Sequence, residues 1–242
     1  MSILSKHSFD CSLCRSMLPN WFDNWDPSEP TLQRIITAGV FLPLQGYDRL
    51  GRYSILVRMG RVMPATMSAE DCYKVLIMIF NMVIEGNVQS QTKGMAIVMD
   101  LEGMGTSHSS LLNPTLVKKL LVVFQEAFPF DNDILLQLSS VYFLNMPKIL
   151  EKLIMVVLSF LKKYKSIVKI QDREFGSMVE EMGTEILPAE YGGDNRDCEE
   201  LARFWKGELE KQKAWLSEQR VFRTDESLRV GKSKLERSCS IM

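Results

Sequence analysis

Residues Gly94 to Pro129, GMAIVMDLEGMGTSHSSLLNPTLVKKLLVVFQEAFP, constrain the fold more than any other stretch of this chain. Met95–Met99 is a short apolar run without a polar break, bounded by Gly94 and Asp100. So uniform a run suits a strand covered on both faces, as in a parallel sheet, although a buried helix segment has the same pattern. Gly103 and Gly105 mark a loop. Asn113 is suited to cap the next element, and Pro114 to its first position, where a missing N–H is not needed. Leu116, Leu120, Val123, Phe124 and Phe128 then recur at helical spacing until Pro129. Strand, loop and helix make half of a parallel βαβ unit.

Similar units flank it. Tyr53–Arg58 alternates and is rich in β-branched residues, so it reads as a strand delivered by the turn Asp48–Gly51. A short helix is expected at Thr31–Ala38, closed by Gly39. A long one is expected from Ala69 to Asn87, with apolar positions around most of its circumference, so it is buried on several sides or lines a cavity. Val141–Asn145 and Ile167–Ile170 read as strands. Pro147–Phe160 reads as an amphipathic helix with Ile149, Leu150, Leu153, Ile154, Val157 and Leu158 on one side. Asp197–Ser217 reads as a polar amphipathic helix, and the tail from Arg223 as flexible.

Composition narrows the function. With 242 residues, 46% apolar and 24% charged, the chain can bury a substantial core in one α/β domain. A net charge of −1 argues against a general nucleic-acid binder. Five cysteines, an odd number, with no secretory pattern at Met1–Asp10, place it in a reducing compartment. Cys11 and Cys14 form one CxxC without a second pair or a nearby histidine, so no metal site is expected. The longest uncharged apolar run, Val75–Ile84, is about half of a membrane span. His108 has only His7 for company and no serine elbow, which favours a loop-structuring role over a general base. Asp100 and Glu102 are read as loop hydrogen-bonding groups.

Several motifs occur together and in order: PLQGYDRLGRYSILVRMG, DLEG with His108 beyond it, NPTLVKKLLVVFQEAFP, NMP and LPAEYGG. In this the chain resembles the CRAL-TRIO lipid-transfer family, in the branch of α-tocopherol transfer and cellular retinaldehyde-binding proteins and their insect relatives. The likeness covers roughly Leu42 to Gly193. It implies an α/β CRAL-TRIO fold: a mainly parallel sheet, flanking helices, and an apolar pocket closed by an amphipathic lid. The expected layout is residues 1–40 as the truncated remnant of a helical N-terminal unit, 41–195 as the lipid-binding domain, 196–222 as a C-terminal helix and 223–242 as a flexible tail. The remnant keeps the pattern Arg15…Pro19…Trp21-Phe22.

By resemblance the pocket wall falls on Tyr73, Leu76, Phe80, Met95, Met99, Leu112, Leu120, Val123, Phe124, Phe128 and Phe130, each of which is equally suited to ordinary core. The lid face is Ile149, Leu150, Leu153, Ile154 and Val157. Arg15, Lys162 and Lys163 match basic positions of a phosphoinositide surface. Family members place further basic residues just after the position of Pro129, where this chain has Asp131 and Asp133, which would repel phosphate. Related proteins also carry small hydroxylated residues at the positions of Leu76 and Phe80, so a slimmer or fully apolar ligand is expected here. Lys162, Lys163, Lys165 and Lys169 form a basic run beside the lid. Cys239-Ser240-Ile241-Met242 has the form of a prenylation box, against which stands a coincidental ending. The expected activity is that of a cytoplasmic carrier, transiently membrane-associated and monomeric. It takes a tocopherol-, retinoid- or other lipid-like molecule, with no cofactor, no nucleic acid and no covalent chemistry. The alternative is a non-transporting scaffold module.

Overall fold

The computed structural model describes residues 18–86, 93–127, 138–159, 167–171 and 175–219. Two short helices open it, α1 (Pro19–Phe22) and α2 (Pro30–Thr37), each with proline in its first turn. The Glu29 carboxylate caps α2 by accepting from the Leu32 N–H at 2.9 Å. Strands β1 (Phe41–Tyr47) and β2 (Tyr53–Arg58) form an antiparallel hairpin. Its turn is shaped by Asp48, whose carboxylate accepts from the backbone N–H of Leu50 and Arg52. The same carboxylate holds the buried Arg52 guanidinium, which also donates to the Ser140 hydroxyl at 2.7 Å.

From β2 the chain runs through α3 (Ala69–Gly86) to β3 (Met95–Asp100). A 3-10 segment, Thr106–Leu112, and α4 (Pro114–Ala127) follow, leading to β4 (Leu138–Leu144). The 3-10 turn Lys148–Leu150 leads into α5 (Glu151–Ser159) and then to β5 (Val168–Gln171). Strands β2 to β5 are mutually parallel, and the sheet order is β1-β2-β3-β4-β5. Because the order never reverses, crossovers of one hand set α3, α4 and α5 on the same face. The other face is covered by α6 (Gly176–Met182) and α7 (Cys198–Lys211), and α8 (Lys213–Glu218) ends the described chain.

Each central strand is therefore buried twice. Leu56, Ala96, Val98, Tyr142 and Leu144 pack with Met178, Met182 and Leu201 on one face. Tyr53, Ile55, Val57, Met95, Val141 and Phe143 turn to the crossover helices on the other. Strands covered on both sides need apolar residues at every position, which accounts for the unbroken Met95–Met99 run.

Several boundaries differ from those read in the sequence. The expected helix at Thr31–Ala38 begins at Pro30, and the one expected to reach Asn87 is described to Gly86. The strand expected at Val141–Asn145 starts at Leu138 and stops at Leu144, because Asn145 takes a positive φ of 52°. The helix expected over Asp197–Ser217 is two helices broken at Gln212. Strand β1 leaves no clear mark in the sequence, because Pro43 and the register shift between Pro43 and Tyr47 interrupt its pattern. Pro43 is tolerated there because β1 lies at the edge of the sheet.

Candidate functional site

The centre of the sheet is where burial should be most complete, and on the crossover-helix face it is not. In β3, the middle strand, Ile97 and Met99 keep accessible surface, while their register partners Ile55, Val57, Val141 and Phe143 are buried. An apolar side chain in the middle of a five-stranded sheet stays accessible only if the space above it is open. Leu76 on α3, Leu116 and Leu120 on α4 and Met146 before α5 are likewise only partly buried and pack on the same apolar cluster. Among the described residues, α4 and α5 make their principal contacts with each other and with the 3-10 segments, not with the strands below. The result is a patch of accessible apolar surface between β3 and the helices.

The residues expected to form the wall divide accordingly. Leu76, Met99 and Leu120 keep accessible surface within this patch. Tyr73, Phe80, Met95, Leu112 and Val123 belong to the same cluster but are buried, as supporting wall or ordinary core. The Tyr73 hydroxyl donates to the Leu111 carbonyl at 2.6 Å and its ring lies 5.3 Å from that of Trp21, which ties α3 to the 3-10 segment and to α1. Burial, with a lesser contribution from Cys72, drives its pKa far above the ordinary tyrosine value. The side chain of Phe124, together with Phe128 and Phe130, lies outside the described residues. Ile97, Leu116 and Met146 share this partial burial without having been expected at the site; Ile97 lies two residues from both Met95 and Met99, so strand alternation alone places it on their face.

The lid needs a correction. Ile149 was expected on the inward face with Ile154, but it is 68% exposed, whereas Ile154 is 2% exposed and joins the core. The cause is local: Lys148–Leu150 is a 3-10 turn, with three residues per turn, so its side chains leave the stripe that α-helical spacing would give. Met155 and Val156 also face outward, at 52% and 46%. The side chains of Leu150, Leu153 and Val157 lie outside the described residues, as do Arg15, Lys162, Lys163, Lys165 and Cys239. Lys169 is described, and it is engaged: its Nζ pairs with Glu181 at 2.5 Å and stands 5.2 Å from the Tyr142 ring centroid.

The groups with catalytic appearance are built into the frame. The Asp100 carboxylate accepts from the Tyr191 hydroxyl at 2.6 Å, from Asn145 Nδ2 at 2.8 Å and from the Glu102 backbone N–H at 2.9 Å. DLEG and LPAEYGG are thus two halves of one buried hydrogen-bonded knot. His108 Nδ1 accepts from the Gly105 N–H at 3.1 Å, leaving Nε2 to donate to the Val62 carbonyl at 3.0 Å. Both ring nitrogens are occupied, so His108 fastens the 3-10 segment to the loop after β2. Among the described residues no three His, Cys, Asp or Glu side chains converge as metal ligands, and no helix is long and apolar enough to cross a membrane.

Comparison with known proteins places the fold in a family. The model of the family described as CRAL/TRIO domain matches residues 37–193. Human "Alpha-tocopherol transfer protein-like" is 27% identical over 186 residues, 74% of this chain and 50% of that protein. Rat "Clavesin-1" is 23% identical over 180 residues, 74% of this chain and 49% of that protein. The chain spans about half the length of these relatives. Among solved structures, that of Sfh5 superposes with a TM-score of 0.53 at 13% identity, covering 77% of this chain and 66% of Sfh5, which speaks to the fold alone.

Proposed function

Since the chain belongs to the CRAL/TRIO domain family, we propose that it encloses one hydrophobic small molecule in a hollow over β3 and carries it between membranes. The observation that carries this reading is the accessible apolar surface of Ile97 and Met99 at the middle of an otherwise buried sheet face. Water gains nothing from such a space, whereas a lipid-like guest would contribute about 2.5 kcal/mol for each ~100 Å² of apolar surface hidden. Nothing in the step requires bond-making. The carboxylate, the imidazole and the tyrosine that could suggest chemistry are committed to the frame.

Helix α5 is the element whose movement would admit and release the guest. It buries Ile154 in the apolar cluster and presents Met155 and Val156 to its surroundings, as the 3-10 turn before it presents Ile149. Apolar side chains on the outer face of a closing helix suit contact with a bilayer, where opening would expose both faces to hydrocarbon instead of water. Arg15, Lys162 and Lys163 are the proposed contacts to anionic head groups, while Asp131 and Asp133 disfavour a phosphoinositide site after Pro129.

The test is lipid extraction and mass spectrometry of the protein purified from eukaryotic cells. One lipid per chain, transferred from donor to acceptor vesicles, is the expected result. A chain that emerges empty and stays empty when offered apolar probes would instead be a docking module.

A further inference from the structure

On the reading that α5 swings open at a bilayer, a second attachment that stays still would hold the protein there while α5 moves. The loop after β2 has the chemistry for one. Met63 is 52% exposed, yet the backbone around it is fixed. Its N–H donates to Met67 Sδ at 3.4 Å, and its carbonyl accepts from the N–H groups of Thr66 and Met67, each at 2.9 Å. The Val62 N–H donates to the Met59 carbonyl, the Val62 carbonyl accepts from His108, and Pro64 has no N–H to satisfy. An apolar side chain is thus presented on backbone that is already paired, so entry into a head-group layer strands none of these groups.

The 3-10 segment Thr106–Leu112, which His108 fastens to this loop, also touches the Lys148–Leu150 turn and α5. Met63 and Ile149 therefore stand on two pieces of chain joined through one segment, beyond the ends of the parallel strands β2 and β4. Tyr47 and Leu50, exposed as well, lie at the other end of β2. Within three residues of Met63, Ile149, Met155 and Val156 the charged groups are Arg61, Lys148 and Lys152 against the one carboxylate of Glu151, all exposed. Apolar side chains accompanied by cations match hydrocarbon lying under anionic head groups. We propose that Met63 is a fixed second anchor on an anionic bilayer. It enters the surface together with Ile149, Arg61 and Lys148 meet the head groups, and α5 moves against this fixed point. Two segments held by one surface act together, so the losses from removing each multiply.

The experiment sediments the full chain with phosphatidylcholine vesicles, with and without phosphatidylserine. Met63→Ser, which leaves the backbone bonds in place, should lower partitioning onto the anionic vesicles about fivefold with the thermal midpoint unchanged. Arg61→Gln should reduce the preference for phosphatidylserine. Leu50→Ser, at the other end of β2, should change neither. Unchanged partitioning of Met63→Ser, an equal loss from Leu50→Ser, or no binding by the parent chain overturns the anchor. If Ile149→Ser alone weakens binding, docking beside α5 stands without Met63. The carrier reading is decided separately, by whether a lipid is extracted with the chain.

Discussion

Asp100 and Tyr191 are ninety-one positions apart in the chain, yet removal of either leaves the other's buried polar group without its partner. Asp100→Ala strips three donors of their acceptor at once and should cost about 3 kcal/mol, read from denaturant midpoints, while Tyr191→Phe should cost less because the carboxylate keeps two donors. Burial acts on the cysteines in another way: desolvation pushes the thiols of Cys72 and Cys198 up to about 12. Neither carries thiolate at neutral pH, so iodoacetamide should label them only after unfolding, as followed by intact mass. Glu181 has a carboxyl below its ordinary value: burial opposes the charge, and the hydrogen bonds from Lys169 and Tyr142 outweigh it. A lowered folded value means its contribution is present above pH 4.5, the unperturbed value, and is lost as pH falls through the folded value. With both partners about one-third exposed the pair is worth less than about 1 kcal/mol, so Glu181→Gln should differ from the parent near neutrality and converge with it in acid.

At the scale of elements, the strands covered on both faces were legible because burial on two sides leaves a one-dimensional mark, an unbroken apolar run. Helices α3 and α4 were legible from their spacing and caps. What the sequence could not express is a local change of period. Ile149 and Ile154 both fit an α-helical stripe, and only the 3-10 geometry of the first turn separates them. Ile154→Ala should therefore destabilise the fold by about 2–4 kcal/mol, whereas Ile149→Ser should leave the thermal midpoint within a degree or so and weaken vesicle binding. Strand β1 was hidden for a different reason: its pairing is antiparallel, at the edge, and broken by Pro43 and Gly46, so neither alternation nor a continuous apolar run survives. Asp48 is legible only as part of a turn, Asp48–Gly51; that it forms a buried pair with Arg52, bonded to β4, is a property of the assembled hairpin. Breaking it through Asp48→Ala should cost about 3–5 kcal/mol, far more than replacing both residues by apolar ones.

In the whole molecule, the polar knots lie at the ends and on the α6–α7 side of the sheet, while the crossover side is kept apolar and loosely filled at its centre. Leu76, Met99 and Leu120, placed on a pocket wall by resemblance, keep accessible surface, as do Ile97, Leu116 and Met146, which stand out only when relative accessibility across the sheet is compared. The remaining edge of the sheet has its own logic. Along β1 the outward carbonyl of Pro43 accepts from the Trp205 indole at 2.6 Å, and that of Gln45 from Asn195 Nδ2 at 3.5 Å. Two side chains from the far end of the sequence thus occupy places that a foreign strand would otherwise take. Proteolytic loss of the segment bearing Asn195 and Trp205 would uncover a template for chain-to-chain pairing, and a nicked population should seed fibrils that the intact protein resists.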